Sequence, residues 1–368
     1  MADLKIPAGP QELTAEWLTD ALRETGTIKK SIVTSFDTKP DIAAGTGFMG
    51  QLAQVTLHYD LPEEGAPLSL IAKFPTPLPE NREVAERYRF YEIETRFYEQ
   101  IADEVELRTP RRYYSAYDPE SADFVLLLED LAPACVGDQV EGCTVEQADL
   151  ALRELAKFHA TWWESPRLAE LHWMPSTNDP VRAQSAQDNY QEAWGPFVEQ
   201  FGDRVSPSIL ETGERFGKKI VKMFDQFAEP PRTIIHGDYR LDNLFFATPE
   251  GGEPLAVIDW QISSRGRGIF DVAYFMTGTL SPEDRKAKEM DLLRMYHDIL
   301  VDRGVQGYDF DRCLRDYRAS TLACLLYAVI VLGTLDVANE RGLALFTSNL
   351  DRTVAAIEDL NAGELLPD

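Results

Sequence analysis

Cysteine is scarce in this chain. Four residues in 368 (Cys135, Cys143, Cys313 and Cys324) contain no CxxC pair, which argues against a disulfide framework. Positive charge is also short: 36 Lys and Arg stand against 62 Asp and Glu, for a formal net charge of −26. Such a surface repels nucleic acid and anionic membranes, so neither is an expected partner. It permits a cationic substrate, although solubility alone accounts for it. The start, Met1-Ala-Asp-Leu-Lys5, has no basic segment followed by an apolar one. The most apolar run, residues 321–335, is about 15 residues long, short of the roughly 18–20 that span a bilayer. It reads as a buried helix, and the expectation is a cytoplasmic protein without membrane insertion. Internal repeats and low-complexity tracts are absent as well.

What is present divides by composition. Residues 1–30 read as an N-terminal helical extension: Thr14 can cap a short helix with Trp17, Leu18, Ala21 and Leu22 on one face and Gly26 at its end. Gly45-Thr46-Gly47-Phe48-Met49-Gly50 is a G-x-G-x-x-G. A dinucleotide fold requires a helix after such a segment, but Gln54 to Tyr59 alternates polar and apolar, as a strand does. A glycine loop followed by a strand suits the hairpin whose bare N–H groups cover ATP phosphates. Residues 68–74 form a second apolar strand with one charge, Lys73, near its end. A lysine there is either an edge residue reaching for water or one that meets an anionic partner. The charged segment 81–102 reads as one helix. On it Glu94 shares a face with Phe97 and Tyr98, while Glu92 lies on another face. Glu94 is the natural partner for Lys73, with Glu92 the competitor. Two further strands, 109–118 and 124–128, lead to Glu129-Asp130-Leu131-Ala132-Pro133, read as a hinge.

Beyond the hinge the pattern is helical. Thr144-x-x-Gln147 is a capping box opening a long helix, and His159 on it reads as a buried, hydrogen-bonded residue rather than a base. Further helices are expected over 184–201, 208–227 and much of 281–361. They are interrupted by two short apolar runs around Ile234-Ile235-His236-Gly237-Asp238-Tyr239-Arg240-Leu241-Asp242-Asn243 and Val257-Ile258-Asp259-Trp260. An aspartate, an asparagine five residues on, and a second aspartate after a hairpin are the oxygens a phosphoryl-transfer site needs. One carboxylate orients a hydroxyl, and an amide and a carboxylate hold magnesium.

The order of glycine loop, strand lysine, helix glutamate, hinge and loop aspartate resembles the protein-kinase superfamily. His236-Gly237-Asp238 followed by Asn243 is similar to the aminoglycoside phosphotransferase and choline kinase branch, which acts on small molecules; protein kinases carry Arg where Gly237 stands. Leu128-Glu129-Asp130-Leu131, Glu94-Thr95-Arg96-Phe97-Tyr98 and Ile258-Asp259-Trp260-Gln261 resemble the ecdysteroid-kinase-like subgroup. The resemblance covers roughly residues 40–340 and is most specific at 234–275.

The resemblance implies an α+β, bilobal kinase-like fold: an N-lobe of antiparallel sheet plus helix over 31–130, and a larger, mainly helical C-lobe over 131–368, with the site between them. It implies ATP and Mg2+ as cofactors and a small-molecule hydroxyl as acceptor. Asp238 would orient the hydroxyl, and Asn243 and Asp259 would ligate magnesium. Lys73, held by Glu94, would bind the α- and β-phosphates, which Gly45, Thr46, Gly47, Phe48, Met49 and Gly50 would cover. Backbone groups of Glu129 and Leu131 would meet the adenine edge. Arg240 would neutralise charge on the transferring group, and Asp271 would brace the catalytic loop. The insert 248–254 is expected to form a hairpin tip pointing away from the site, and Trp260 replaces the Phe of Asp-Phe-Gly. The alternatives are an aminoglycoside-phosphotransferase-type resistance enzyme and, from another class, a non-catalytic nucleotide-binding scaffold. Trp162, Trp163, Trp173 and Trp194 are open to reading as pocket lining or as core. Acceptor identity and oligomeric state are not legible.

Overall fold

The computed structural model describes residues 4–40, 49–334 and 340–368. The chain separates into two units, the first built from residues 1–135 and 247–262, the second from 136–246 and 263–368. Helix α1 (Ala15–Glu24) is followed by strands β1 (Val33–Pro40), β2 (Gly50–Tyr59) and β3 (Ser69–Pro75). Next come helices α2 (Pro79–Arg87) and α3 (Phe90–Gln100), then strands β4 (Arg112–Tyr117) and β5 (Phe124–Glu129). The five strands form one antiparallel sheet in the order β1-β2-β3-β5-β4. The period-two alternation of β2 puts Ala53, Val55 and Leu57 inside. Val55 and Leu57 join Leu70, Ala72, Phe74, Val125 and Leu127 in a core completed by Leu18, Ala21 and Leu22 of α1. The Thr14 hydroxyl accepts from the Trp17 N–H at 3.0 Å, capping α1 as its sequence predicts.

A single helix over 81–102 does not form. Arg89 takes a left-handed conformation, φ 58°, and separates α2 from α3. The break matches a change in composition. α2 is strongly charged and buries only Ala85, whereas α3 buries Tyr91, Ile93, Glu94, Thr95, Phe97 and Tyr98.

The turn between β2 and β3 is tied back to the segment after α1 by one carboxylate. Glu63 Oε1 accepts from the N–H of Lys29 at 2.8 Å, and Oε2 from those of Lys30 and Ser31 at 3.0 and 2.9 Å and from Ser31 Oγ at 2.8 Å. The Ser31 and Lys30 N–H groups, with the Ser31 hydroxyl, hold its pKa down at about 2. A depressed carboxylate stabilises the fold above its unfolded value of 4.5, and that stabilisation is lost as pH falls from there toward the folded value. Glu63→Gln is therefore expected to lower the melting temperature at pH 7, with a deficit that shrinks on acidification to pH 3. An equal deficit at both pH values in thermal melts would refute the assignment.

The chain enters the second unit through β6 (Cys135–Val136), followed by α4 (Val145–Trp162), α5 (Pro180–Phe201), α6 (Pro207–Phe216), α7 (Ile220–Ala228) and β7 (Thr233–Ile235). It returns to the first unit along β8 (Leu244–Thr248) and β9 (Gly251–Val257). The remainder is β10 (Ser264–Gly266) and α8 (Ile269–Thr279), α9 (Pro282–Asp302), α10 (Phe310–Ala323), α11 (Leu325–Thr334) and α12 (Glu340–Asp359). The capping box at Thr144 and Gln147 forms. The helix expected over 208–227 is two helices, α6 and α7, interrupted at Gly217, where a Cβ would lie 2.8 Å from the Tyr190 ring.

In this unit α5 packs on α11, α4 on α9, and α8 on α10. The tryptophans open to two readings go largely to the core. Trp162 and Trp173 are buried, Trp194 stacks on Tyr190 and Phe197, and Trp163 packs on Tyr308. The stretch Phe310–Thr334 meets the length and hydropathy of a membrane span, because α10 runs on into α11. Yet 61% of its apolar window is buried within the protein.

Candidate active site

The candidate side chains fall into two groups, one in each unit. The first is centred on Lys73, which faces Leu52 of β2 and Leu126 of β5 in the ladder and is 8% exposed. Its ammonium lies 2.7 Å from Glu94 Oε2 and 2.9 Å from Asp259 Oδ1. Burial alone would drive the lysine toward its neutral form, but Asp259 and Glu94 outweigh it and hold Lys73 charged. Glu94, 1% exposed, is pushed upward by burial, pulled back by Lys73, and raised again by Asp259. One ammonium shared by two carboxylates leaves an excess negative charge. Glu92, the competing partner, instead pairs with Arg96 on its own helix at 2.9 Å.

Asp259 is held by unusual backbone and by stacking. Its φ of +66° is left-handed, a conformation sparsely used by residues other than glycine. Next to it, fully buried Trp260 lies flat on Phe97 of α3, ring centroids 3.9 Å apart and planes within 6°. The aromatic in the position after the aspartate thus ties that loop to the helix that supplies Glu94. Gln261 Nε2 donates to Asp259 Oδ2 at 3.3 Å.

Of the glycine segment, Gly45, Thr46, Gly47 and Phe48 lie outside the described residues. Met49 precedes β2, and Gly50 opens it. A Cβ on Gly50 would meet Phe74 O at 3.0 Å and Lys73 Cε at 3.4 Å, so glycine lets this strand end lie against the lysine.

The Glu129–Pro133 segment is firmly anchored. The Glu129 carboxylate takes both oxygens to Arg108 Nη2 at 2.7 and 2.6 Å and accepts from the Arg111 N–H at 2.9 Å. The Glu129 N–H donates to Arg111 O, and Leu131 O accepts from the Ala134 N–H. Asp130, given no role in the sequence analysis, accepts from Ser69 Oγ at 2.6 Å and Gln54 Nε2 at 2.7 Å, tying the segment to β2 and β3. Burial opposes its ionisation, but those two hydrogen bonds and the Ala132 N–H keep its pKa below the usual value.

The expectation that the 248–254 insert points away is incorrect. Gly252 lies against Ala134, where a Cβ would come within 2.9 Å, and Thr248 Oγ1 donates to Pro133 O. Gly252 and Glu253 line a cavity of about 310 Å³ together with Arg108, Glu129, Asp130 and Leu131. Its two glycines, φ +126° and +99° at Gly251 and Gly252, allow the hairpin to fold that closely.

The second group is the loop after β7, in the other unit. Fully buried Asp271 of α8 accepts from two consecutive N–H groups, His236 at 2.7 Å and Gly237 at 2.9 Å. This is the loop brace expected of it. His159 Nε2 also lies 3.2 Å from Asp271, and its Nδ1 lies 2.9 Å from the Tyr296 hydroxyl. His159 is therefore a buried support. Gly237 has φ +87°, which accounts for glycine there.

Asp238 follows with both carboxylate oxygens engaged. Oδ1 accepts from the Tyr274 hydroxyl at 3.0 Å, and Oδ2 from Arg240 Nε at 3.1 Å and Asn243 Nδ2 at 3.0 Å. Burial raises its pKa, but Arg240, His236 and the bonds from Tyr274 and Asn243 prevail, so it is held below the usual carboxylate value. Arg240 is committed to two carboxylates, donating also to Asp242 at 2.9 Å. Asn243 donates to the Asp238 carbonyl at 2.9 Å as well, which directs its amide oxygen elsewhere. Gln139 fastens the turn by accepting from the Leu241 N–H at 2.8 Å and donating to Gly278 O at 2.8 Å.

Tyr274 carries no motif that marks it as a partner of Asp238. The available signal was its position three residues after Asp271, which places both on one side of α8.

Among the described residues no cluster of three or more His, Cys, Asp or Glu forms a ready metal cage. The oxygens of Asn243 and Asp259 are hard donors of the kind magnesium takes one or two of, alongside phosphates and water. The excess negative charge around Lys73 also fits a cation.

Comparison with known proteins places the fold and the family. A model of the ecdysteroid kinase-like family matches residues 44–305. Among solved structures, the chain is similar to a protein from Ralstonia eutropha JMP134 assigned as an aminoglycoside phosphotransferase, with 15% identity and a TM-score of 0.57 over 95% of this chain and 98% of that one. It is also similar to choline kinase from Cryptosporidium parvum, with 11% identity and a TM-score of 0.52 over 89% and 91%. At those identities the likeness establishes the fold alone, which is α+β and kinase-like. A short stretch of 42 residues is 57% identical to acyl-CoA dehydrogenase family member 10 of Mus musculus, covering 11% of this chain and 4% of that protein. Over 41 residues it is 46% identical to family member 11 of Gallus gallus, covering 5% of that protein. The chain thus spans only a small part of the curated relatives it matches. With most of its length under one family model and the kinase-like fold to carry it, the chain belongs to the ecdysteroid kinase-like family.

Proposed function

We propose that this protein transfers the γ-phosphoryl group of ATP to the hydroxyl of a small molecule, with magnesium. The observation that carries the reading is Asp238, a partly buried carboxylate kept ionised and aimed by three donors. The acceptor oxygen would bond to the γ-phosphorus as the bond to the β,γ-bridging oxygen breaks, ADP leaves, and the hydroxyl proton passes toward Asp238. A low pKa suits this role, because a loose transition state requires little proton removal early on.

In this reading Lys73 binds the α- and β-phosphates and Glu94 keeps it extended toward them. The segment Gly45–Gly50 covers the phosphates with backbone N–H groups. The Glu129 carbonyl and the Leu131 N–H supply an acceptor and a donor to the adenine edge. Asn243 and Asp259 would each give an oxygen to magnesium, whose chemistry when bound is to neutralise phosphate charge. Arg240 acts first on Asp238, which it contacts directly, and adds positive charge near the transferring group.

Two measurements test the proposal: calorimetric titration with Mg-ATP, then ADP release with choline, ethanolamine, kanamycin and a wider set of hydroxylated compounds. Binding with turnover on at least one acceptor is expected. Binding with none would favour the nucleotide-binding scaffold, and absence of binding would sink both readings.

A further inference from the structure

We propose that the Tyr274 hydroxyl is a positioning group that fixes which oxygen of Asp238 receives the acceptor hydroxyl. The inference rests on the phosphotransfer reading above and deepens it.

A carboxylate offers about four acceptor positions, two on each oxygen. Three are filled on Asp238: one on Oδ1 by Tyr274, and two on Oδ2 by Arg240 and Asn243. The open position is on Oδ1, beside the phenol. An incoming hydroxyl is thereby directed to one oxygen and one side of the carboxylate, with the phenolic oxygen as its neighbour.

The phenol is itself held in place. Phe270 stacks on the Tyr274 ring at 6.1 Å and 12°, and Tyr327 of α11 meets it edge-on at 5.3 Å. Asp271, one turn earlier on α8, holds the N–H groups of His236 and Gly237. One helix therefore sets both the backbone entering Asp238 and the rotation of its side chain. Without the phenol, Oδ1 has two open positions, and the acceptor hydroxyl has two sites rather than one.

The test compares full-length wild type, Tyr274→Phe, Asp238→Asn and the double variant. Each is assayed for ADP release from Mg-ATP with water, choline, ethanolamine or kanamycin as acceptor. Tyr274→Phe keeps the ring and its packing but gives up the hydrogen bond to Asp238, so its melting temperature is expected to fall by no more than a few degrees. Its kcat is expected to fall about 10- to 100-fold, as for loss of one hydrogen bond to a charged group. KM for Mg-ATP is expected to stay within about twofold of wild type. If Tyr274 acts through Asp238, adding Tyr274→Phe to Asp238→Asn will cost nothing further.

A Tyr274→Phe enzyme with wild-type kcat, or a double variant with fully multiplied losses, would overturn this inference while the phosphotransfer reading stands. A wild type that turns over with no acceptor in the wider set of hydroxylated compounds would overturn both, whereas an Asp238→Asn enzyme with undiminished turnover would overturn this inference and the role of Asp238 while phosphotransfer stands. Should Tyr274→Phe melt early, Tyr274→His, which retains a ring donor, decides the matter: recovery of kcat supports the positioning role, and kcat no better than in the Phe variant counts against it.

Discussion

Asp238→Asn is expected to bind Mg-ATP with near wild-type affinity and to lose phosphoryl transfer by about 10²- to 10⁴-fold, the usual worth of a positioned general base. The substitution is nearly isosteric, and the Asp238 backbone is held independently. Its N–H donates to His236 Nδ1 at 3.2 Å, and its carbonyl accepts from Asn243. The loop should therefore keep its shape, while the charge that draws Arg240, and the second oxygen that accepts from Arg240 and Asn243, are lost. Calorimetry for binding and steady-state ADP release for turnover separate the two effects. Near-normal turnover in this variant would remove Asp238 from the role given to it.

Lys73→Ala is expected to be the most damaging change in the first unit. It removes the ammonium that Glu94 and Asp259 share and leaves Glu94 buried with a like charge nearby. Breaking a buried pair from one side costs about 3–5 kcal/mol, because the remaining charge is uncompensated. Glu94 can escape that cost by taking a proton, which raises its folded-state pKa further above its unfolded value.

The direction of the pH dependence follows. A carboxyl whose pKa is higher folded than unfolded binds more protons in the folded state, so stability falls as pH rises between the two values. The variant's melting temperature should lie below wild type at pH 8 and recover part of the difference at pH 5. Mg-ATP affinity should fall as well. A variant that melts with the wild type at both pH values and binds Mg-ATP equally well would refute the account of Lys73. Lys73→Met, which retains the stem but not the charge, separates lost packing from lost charge.

Much of the fold is legible in local pattern. The alternation from Gln54 to Tyr59 marks β2, and the apolar run ending near Lys73 marks β3. Thr14 and Thr144 mark helix starts. These signals survive because strand alternation and capping depend on residues a few positions apart. Local pattern fails where a long-range contact overrides it. Segment 81–102 shows a change from charged to apolar composition but not the left-handed Arg89 that splits α2 from α3 there, because the split serves the burial of Tyr91, Phe97 and Tyr98. The 248–254 insert has the composition of a free hairpin tip, yet it folds onto Ala134, over 100 positions earlier in the chain.

The candidate site divides in the same way. By itself the sequence determined its chemical inventory and order: glycine segment, Lys73, Glu94, Glu129 to Leu131, then Asp238, Asn243 and Asp259. Those residue types at those spacings are constrained by the chemistry they suit. Tertiary structure alone decided which groups meet. It brings Glu94 rather than Glu92 to Lys73 and sets Asp259, 186 positions away, on the same ammonium. It turns Arg240 onto Asp238 and brings Tyr274 to the remaining oxygen. The physical reason is distance along the chain. A helix or strand period reports which face a side chain occupies, but a hydrogen bond of 3 Å between residues 36 apart, such as that from Tyr274 to Asp238, exists only once helix α8 has packed.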